Sequence, residues 1–165
     1  DNGQVEAEMT RVLAPTKRED GIPPNQIEYK TRRLVNDYLQ PPKVTRKMQL
    51  AQDRFAEVRA DLDRMVVRDS HELMRSLEAQ SILDCADMAA HASLFRTESR
   101  WGLYHNYADY PEKDNENWFC HTQLKKDANG RMTSFKRPVE PYVIEIDDEE
   151  MGAYANQRVE AEAGD

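Results

Sequence analysis

Residues 48–65 read MQLAQDRFAEVRADLDRM, and their spacing decides the fold. Met48, Ala51, Phe55, Val58, Leu62 and Met65 recur at intervals of three and four, with charged residues between them. That period puts all six on one face of an α-helix. Toward the C-terminus, Asp69-Ser70-His71-Glu72 has the form of a capping box. Asp69 would accept from the Glu72 N–H, and the Glu72 side chain would reach back to the cap. The helix it opens runs to Glu98, with Met74, Leu77, Ser81, Cys85, Met88, Ala92 and Phe95 as its buried stripe. Ala86, Ala89, Ala90, Ala92 and Ser93 are small enough to let a neighbour approach closely. Toward the N-terminus, Ile22-Pro23-Pro24 opens a helix and Pro41-Pro42 closes it, because proline suits a first turn and ends a last one. Ile27, Thr31, Leu34, Val35 and Tyr38 share a face of that helix. Three helices with short connections predict an up-down-up, spectrin-repeat-like bundle over residues 23–98. Met48, Met65, Met74 and Met88 then fill its core.

Outside the bundle the pattern changes. Residues 1–22 read as an N-terminal extension or linker, with a helix over 4–13 and then a loop. Residues 99–117 are rich in Trp, Tyr, Gly, Pro and Asp and have no period. A loop of that length packs on something or carries function. Trp118 to Lys125 reads as a strand, Asp127-Ala128-Asn129-Gly130 as a turn, and Arg131 to Lys136 as the returning strand of a hairpin. Tyr142 to Ile146 is a short extended segment that closes the loop-and-hairpin unit 99–146. The acidic tail 147–165 holds a short helix over Glu149 to Arg158. The fold class is mainly α: a three-helix bundle, a long ordered loop and a C-terminal β-hairpin.

The chain has 23 Lys and Arg against 31 Asp and Glu, a net charge of −8. That balance argues against a nucleic-acid binder. The tail 147–165 contributes seven of the acids and one arginine, Arg158, so the body is close to neutral. A basic run, Lys30, Arg32, Arg33, Lys43, Arg46 and Lys47, reads first as a solvated helix surface and second as a docking patch for an acidic partner. No apolar run is long enough to cross a bilayer, so direct membrane insertion is not expected. Asp1-Asn2-Gly3-Gln4 lacks a signal-peptide pattern, and a start on Asp points to an excised piece of a longer polypeptide. Cys85 and Cys120 read as small buried hydrophobes in a reducing compartment, with a bridge between them left open. His71, His91, His105 and His121 do not pair at helical spacing, and His121 and Cys120 point to opposite faces of a strand, so no metal site is expected. No glycine-rich strand–helix turn is present, so no cofactor site is expected in this chain.

The remaining chemistry lies in Arg96-Thr97-Glu98-Ser99-Arg100-Trp101-Gly102-Leu103-Tyr104-His105. Two arginines, a glutamate and a histidine stand where a helix enters an aromatic loop. One reading is a set of buried ion pairs that fixes the loop to the helix, with Glu98 neutralising one arginine. The other is a set of cationic donors facing an anionic substrate or cofactor.

The stretch from Arg96 to Thr122 resembles the C-terminal domain of the succinate dehydrogenase/fumarate reductase flavoproteins. Ser99-Arg100, Gly102 to His105, Asp109-Tyr110-Pro111, Asp114 to Trp118 and His121-Thr122 carry the resemblance. The Arg100 to His105 wording and Lys136 to Tyr142 look most like the alpha subunit of adenylylsulfate reductase. The resemblance implies an FAD-dependent oxidoreductase as the parent protein. This part would brace the FAD and capping domains of the same polypeptide and have no activity alone. It further implies an iron–sulfur beta subunit as a partner and a cytoplasmic location, at the inner face of a membrane where partner subunits hold it there. Arg96, Glu98, Ser99, Arg100, Trp101, His105 and Tyr107 would form an interdomain loop, with Arg100 and His105 as the candidates for a catalytic role. Trp101-Gly102 stands where many members have one glycine, and Tyr107 where many have arginine. A stand-alone helical docking module for a redox partner is the alternative.

Overall fold

A computed structural model of the chain describes residues 2–139. The expected segment at 142–146 and the expected helix at 149–158 lie outside the described residues. Helices α2 (Pro24–Tyr38), α3 (Thr45–Leu62) and α4 (Ser70–Phe95) form the bundle, each packed on the other two. They follow α1 (Asn2–Leu13) and a 3-10 turn over Ala14–Lys17. The chain ends in a short helix α5 (Asn115–Trp118) and an antiparallel hairpin of β1 (Cys120–Lys126) and β2 (Met132–Pro138). The bundle and the hairpin are those expected, except that Trp118 closes α5 instead of opening the first strand, which begins at Cys120.

Ile27, Ala51, Phe55, Val58, Met65, Ala79, Leu83, Ala86 and Ala90 form the core, with Leu34, Val35, Tyr38 and Leu62 packed at its edge. The expected faces of α2 and α3 are therefore the ones used. The expected face of α4 is not. Ser76, Ala79, Leu83, Ala86, Ala90 and Ser93 point inward, whereas Ser81 and Cys85 are exposed and Met74 and Met88 are 58% and 39% exposed. Residues two apart on a helix lie about 200° apart, so the expected stripe sits nearly opposite the real one. Both stripes have the same three-and-four spacing, and periodicity cannot choose between them. The choice falls on size, because alanines let α4 lie close against α2 and α3. Met48 and Met65 fill the core as expected; Met74 and Met88 do not. Cys85 is exposed rather than buried, Cys120 is half-buried, and both are free thiols.

The α4 cap forms half as predicted. Asp69 Oδ1 accepts from the Glu72 N–H at 2.8 Å. Glu72 Oε2 accepts from the Arg68 N–H, also at 2.8 Å, one residue earlier than the capping box requires. The helix ends at Phe95 rather than Glu98.

The N-terminal segment crosses the base of the bundle through main-chain bonds. Ile22 N donates to Arg64 O at 2.9 Å, and Val66 N to Ile22 O at 3.0 Å. Helix α1 buries none of its residues. At the other end, Asp127 Oδ1 accepts from the Asn129 and Arg131 N–H groups and Gly130 takes a φ of 76°, closing the hairpin turn. No helix among the described residues is long and apolar enough to cross a membrane.

Candidate functional site

The site is built where α4 stops. Arg96 caps the helix through its backbone N–H to Ala92 O at 3.2 Å. Its φ of −87° and ψ of 102° are extended, which turns the side chain inward under the loop. There Nη1 donates to Glu98 Oε1 and to Trp118 O, Nη2 to Cys120 O, and Nε to Thr122 Oγ1. The guanidinium carbon lies 5.8 Å from the Trp101 ring centre and 5.4 Å from that of Trp118. Arg96 thereby ties α4, the loop, α5 and β1 to one another.

Glu98 has no exposed surface. Besides Arg96, it accepts from Arg100 Nε at 2.6 Å, Arg100 Nη2 at 2.9 Å and the Asp114 N–H at 2.9 Å. Burial alone would raise its carboxyl pKa. Hydrogen bonds from Arg100, the Asp114 backbone and Arg96 outweigh that and hold it at about 2. Both arginines share one glutamate, where the sequence reading paired Glu98 with only one of them. Arg100 also donates to Asn115 Oδ1 at 3.0 Å.

The rest of the loop is closed by short polar contacts. Ser99 Oγ accepts from the Tyr107 N–H and donates to Tyr110 O, each at 2.8 Å. Arg100 N donates to His105 O at 2.9 Å, pinching off a 3-10 turn over Gly102–Tyr104. His105 is buried, with Nε2 at 3.3 Å from Arg96 O. Burial, and then the positive charge of Lys43, lowers its pKa. Tyr107 is 1% exposed and its hydroxyl lies 2.8 Å from Thr45 Oγ1. Its ring meets His105 and Tyr110 edge-on, at 6.0 and 5.0 Å. Tyr107 is thus a packing centre of the loop.

All seven loop residues named from sequence fall in this one cluster. Six of them pack or bond inward. Trp101 keeps 68% of its surface exposed and adopts a left-handed backbone, with φ 59° and ψ 36°. Leu103 and Tyr104 beside it are 79% and 84% exposed. Asp109, Thr45, Lys43 and Asp114 also hold the loop, a role the sequence did not assign them. Asp109 Oδ2 accepts from the Thr45 N–H and hydroxyl at 2.6 and 2.7 Å. Lys43 donates through its N–H to Asn106 O at 2.7 Å and through Nζ to Ser93 Oγ at 2.7 Å. Asp114 caps α5 by accepting from the Asn117 N–H at 2.9 Å, which the spacing Asp-x-x-Asn could have signalled. Asp109, Thr45 and Lys43 meet across more than sixty residues and leave no local signal.

Chemically, the cluster is a satisfied ionic knot. Among the described residues, no group of His, Cys, Asp and Glu is placed to hold a metal. The predicted basic run is likewise neutralised on α2, where Lys30 meets Asp61, Arg32 meets Glu28 and Arg33 meets Asp37. Residues 29–152 match the family described as fumarate reductase flavoprotein C-term. The chain belongs to that family. The Rickettsia conorii succinate dehydrogenase flavoprotein subunit is 28% identical over 90 residues, 52% of this chain and 15% of that subunit. Adenylylsulfate reductase from Archaeoglobus fulgidus superposes with a TM-score of 0.82 at 28% identity, over 89% of this chain and 26% of that one. E. coli quinol fumarate reductase shares the fold, with a TM-score of 0.73 at 21% identity over 87% of this chain and 26% of that one. The chain spans only about a quarter of those solved flavoproteins.

Proposed function

We propose that the chain is the C-terminal helical domain of an FAD-dependent oxidoreductase subunit of the fumarate reductase/succinate dehydrogenase or adenylylsulfate reductase type. It braces the FAD and capping domains of the same polypeptide and is not catalytic alone. The observation that carries this reading is the second apolar face of α4. Met74, Cys85 and Met88 stand exposed on the side of the helix away from the bundle. A helix apolar on both sides fits between two partners rather than at a free surface. In this reading the FAD and capping domains cover that side, and membership of a flavoprotein family supports it.

In this reading residues 1–22 are the linker, 23–98 the bundle, 99–146 the interdomain loop with its hairpin, and 147–165 the acidic tail. Arg96, Glu98, Ser99, Arg100, His105 and Tyr107 hold the loop in shape, and Trp101 is presented outward. Arg100 and His105 anchor the loop rather than touch substrate. FAD is a cofactor of the parent protein, where it would supply two-electron chemistry. The described residues do not fit it on their own: their sheet is a two-stranded antiparallel hairpin, and no glycine-rich turn joins a strand to a helix. No flavin step is therefore assigned to these side chains. The partners are the FAD and capping domains and an iron–sulfur beta subunit, and the location is cytoplasmic, at the inner face of a membrane where partner subunits hold it there.

Two measurements test this. The chain mixed with FAD and desalted should retain no flavin absorbance, and stoichiometric retention overturns the reading. The reading frame upstream of Asp1 should encode a glycine-rich dinucleotide motif, and a start codon directly before Asp1 overturns the excised-domain reading.

A further inference from the structure

Among the described residues, the hairpin leaves a second surface uncovered, of different chemistry from α4. Side chains alternate between the faces of a strand. Thr122, Leu124, Met132 and Ser134 are half-buried on the face toward α4. The opposite face carries three cross-strand pairs: His121 with Arg137, Gln123 with Phe135, and Lys125 with Thr133. It has no carboxylate. Asp127, the one acid between residues 120 and 138, is spent on the turn. Among the described residues, the side chains of Lys125, Arg131 and Arg137 make no ion pair, although Arg32, Arg33, Arg54, Arg59 and Arg75 on the helices each meet a carboxylate. Phe135, at the centre of the face, is 41% exposed.

We propose that this face docks an extended acidic segment of a partner polypeptide. His121 and Lys125 are four residues apart, about 13 Å along the strand at roughly 3.3 Å per residue. Two carboxylates four positions apart on an extended segment match the Arg137 and Lys125 ends, and an apolar side chain between them covers Phe135. An aromatic anchor inside a charged rim is the arrangement that gives protein contacts both affinity and register. Nucleic acid fits less well, because the chain carries a net charge of −8 and the face only a few cations. A lipid surface fits less well too, because polybasic recognition takes about four to eight Lys or Arg. The inference does not depend on the flavoprotein reading.

The test uses the full chain and a short labelled peptide with two glutamates four positions apart and a leucine midway. Binding is followed by fluorescence anisotropy, and its location by backbone amide shifts. The peptide should shift amides of residues 121–125 and 133–137 and bind less tightly as salt rises from about 50 to about 200 mM. Its glutamine counterpart should not bind. Lys125→Glu and Arg137→Glu should each weaken binding about tenfold, with the cross-strand contacts of the hairpin retained as the check that it still folds. Phe135→Ser should weaken it with the salt dependence unchanged. Absence of binding overturns the proposal, as does equal binding of the glutamine peptide or a footprint elsewhere. Tighter binding of oligo(dT) or phosphatidylserine vesicles at the same residues overturns it in favour of those ligands. If Asp147→Asn, Asp148→Asn, Glu149→Gln and Glu150→Gln together shift the hairpin amides without added peptide, the occupant is the chain's own acidic segment and the proposal falls.

Discussion

Arg100 grips Glu98 with two hydrogen bonds, at 2.6 and 2.9 Å, across a single intervening residue. The glutamate is fully enclosed and bridges two arginines, so it holds the loop closed against both the helix end and α5. Glu98→Gln should therefore destabilise the chain strongly. Removing one member of a buried charge set leaves the others unpaired, which costs about 3–5 kcal/mol. Urea denaturation checks this, and a loss under about 1 kcal/mol would mean that the knot is ornamental. Arg100→Ala should cost less, because Arg96 stays in place.

The same carboxylate sets an acid limit. Its folded pKa of about 2 lies below the ordinary 4.5, so the unfolded chain takes up the proton first. Its contribution to stability is complete above pH 4.5 and is lost as pH falls toward 2. His105, lowered from 6.5 by burial, adds a loss that begins below that value, since the folded state resists charging it. Stability measured by denaturant against pH should fall in both windows. In Glu98→Gln the lower window should flatten and the upper one remain.

The two sides of α4 should respond oppositely to substitution. Leu83 is fully buried, and Leu83→Ala should cost about 2–5 kcal/mol. Met74→Ser and Cys85→Ser, on the uncovered side, should change stability by no more than about 0.5 kcal/mol. Equal losses on both sides, read from thermal melts of the three variants, would remove the basis for calling that side a docking face.

Tyr107 joins the loop to α3 through its hydroxyl and Thr45 Oγ1. Tyr107→Phe keeps the ring contacts and deletes that bond, so about 0.5–1.5 kcal/mol should be lost. Hydrogen exchange should show the effect first at Thr45 and Ala108, where the loop crosses the start of α3.

Trp101 holds a left-handed backbone with most of its ring in solvent. Asparagine tolerates that backbone better. Trp101→Asn should leave the isolated chain within about 1 kcal/mol of its starting stability. A loss above about 2 kcal/mol would show instead that Arg96 and Arg100, whose guanidinium carbons lie 5.8 and 5.9 Å from the ring centre, depend on the indole.

The bundle was legible because α2 and α3 each have one apolar face, and Met48 to Met65 admits one helical register. Helix α4 misled for a physical reason. It has two stripes with the same spacing, and only the smaller side chains of one let α4 lie close against α2 and α3. The loop residues were legible as a group from Arg96 to Tyr107, because Arg, Glu and aromatic side chains concentrate there. Their partners were not. Thr45 and Asp109, or Lys43 and Ser93, meet only after the helices have packed, and nothing near them in sequence announces it.

Gly21 gives the base of the bundle an unusual economy. A Cβ there would come within 2.2 Å of the Arg64 carbonyl oxygen, so two stretches of main chain touch with nothing between them. Side chains on either stretch can change without moving that crossing, provided residue 21 stays glycine. One atom's absence thus fixes how closely the segment before α2 crosses the chain that leaves α3.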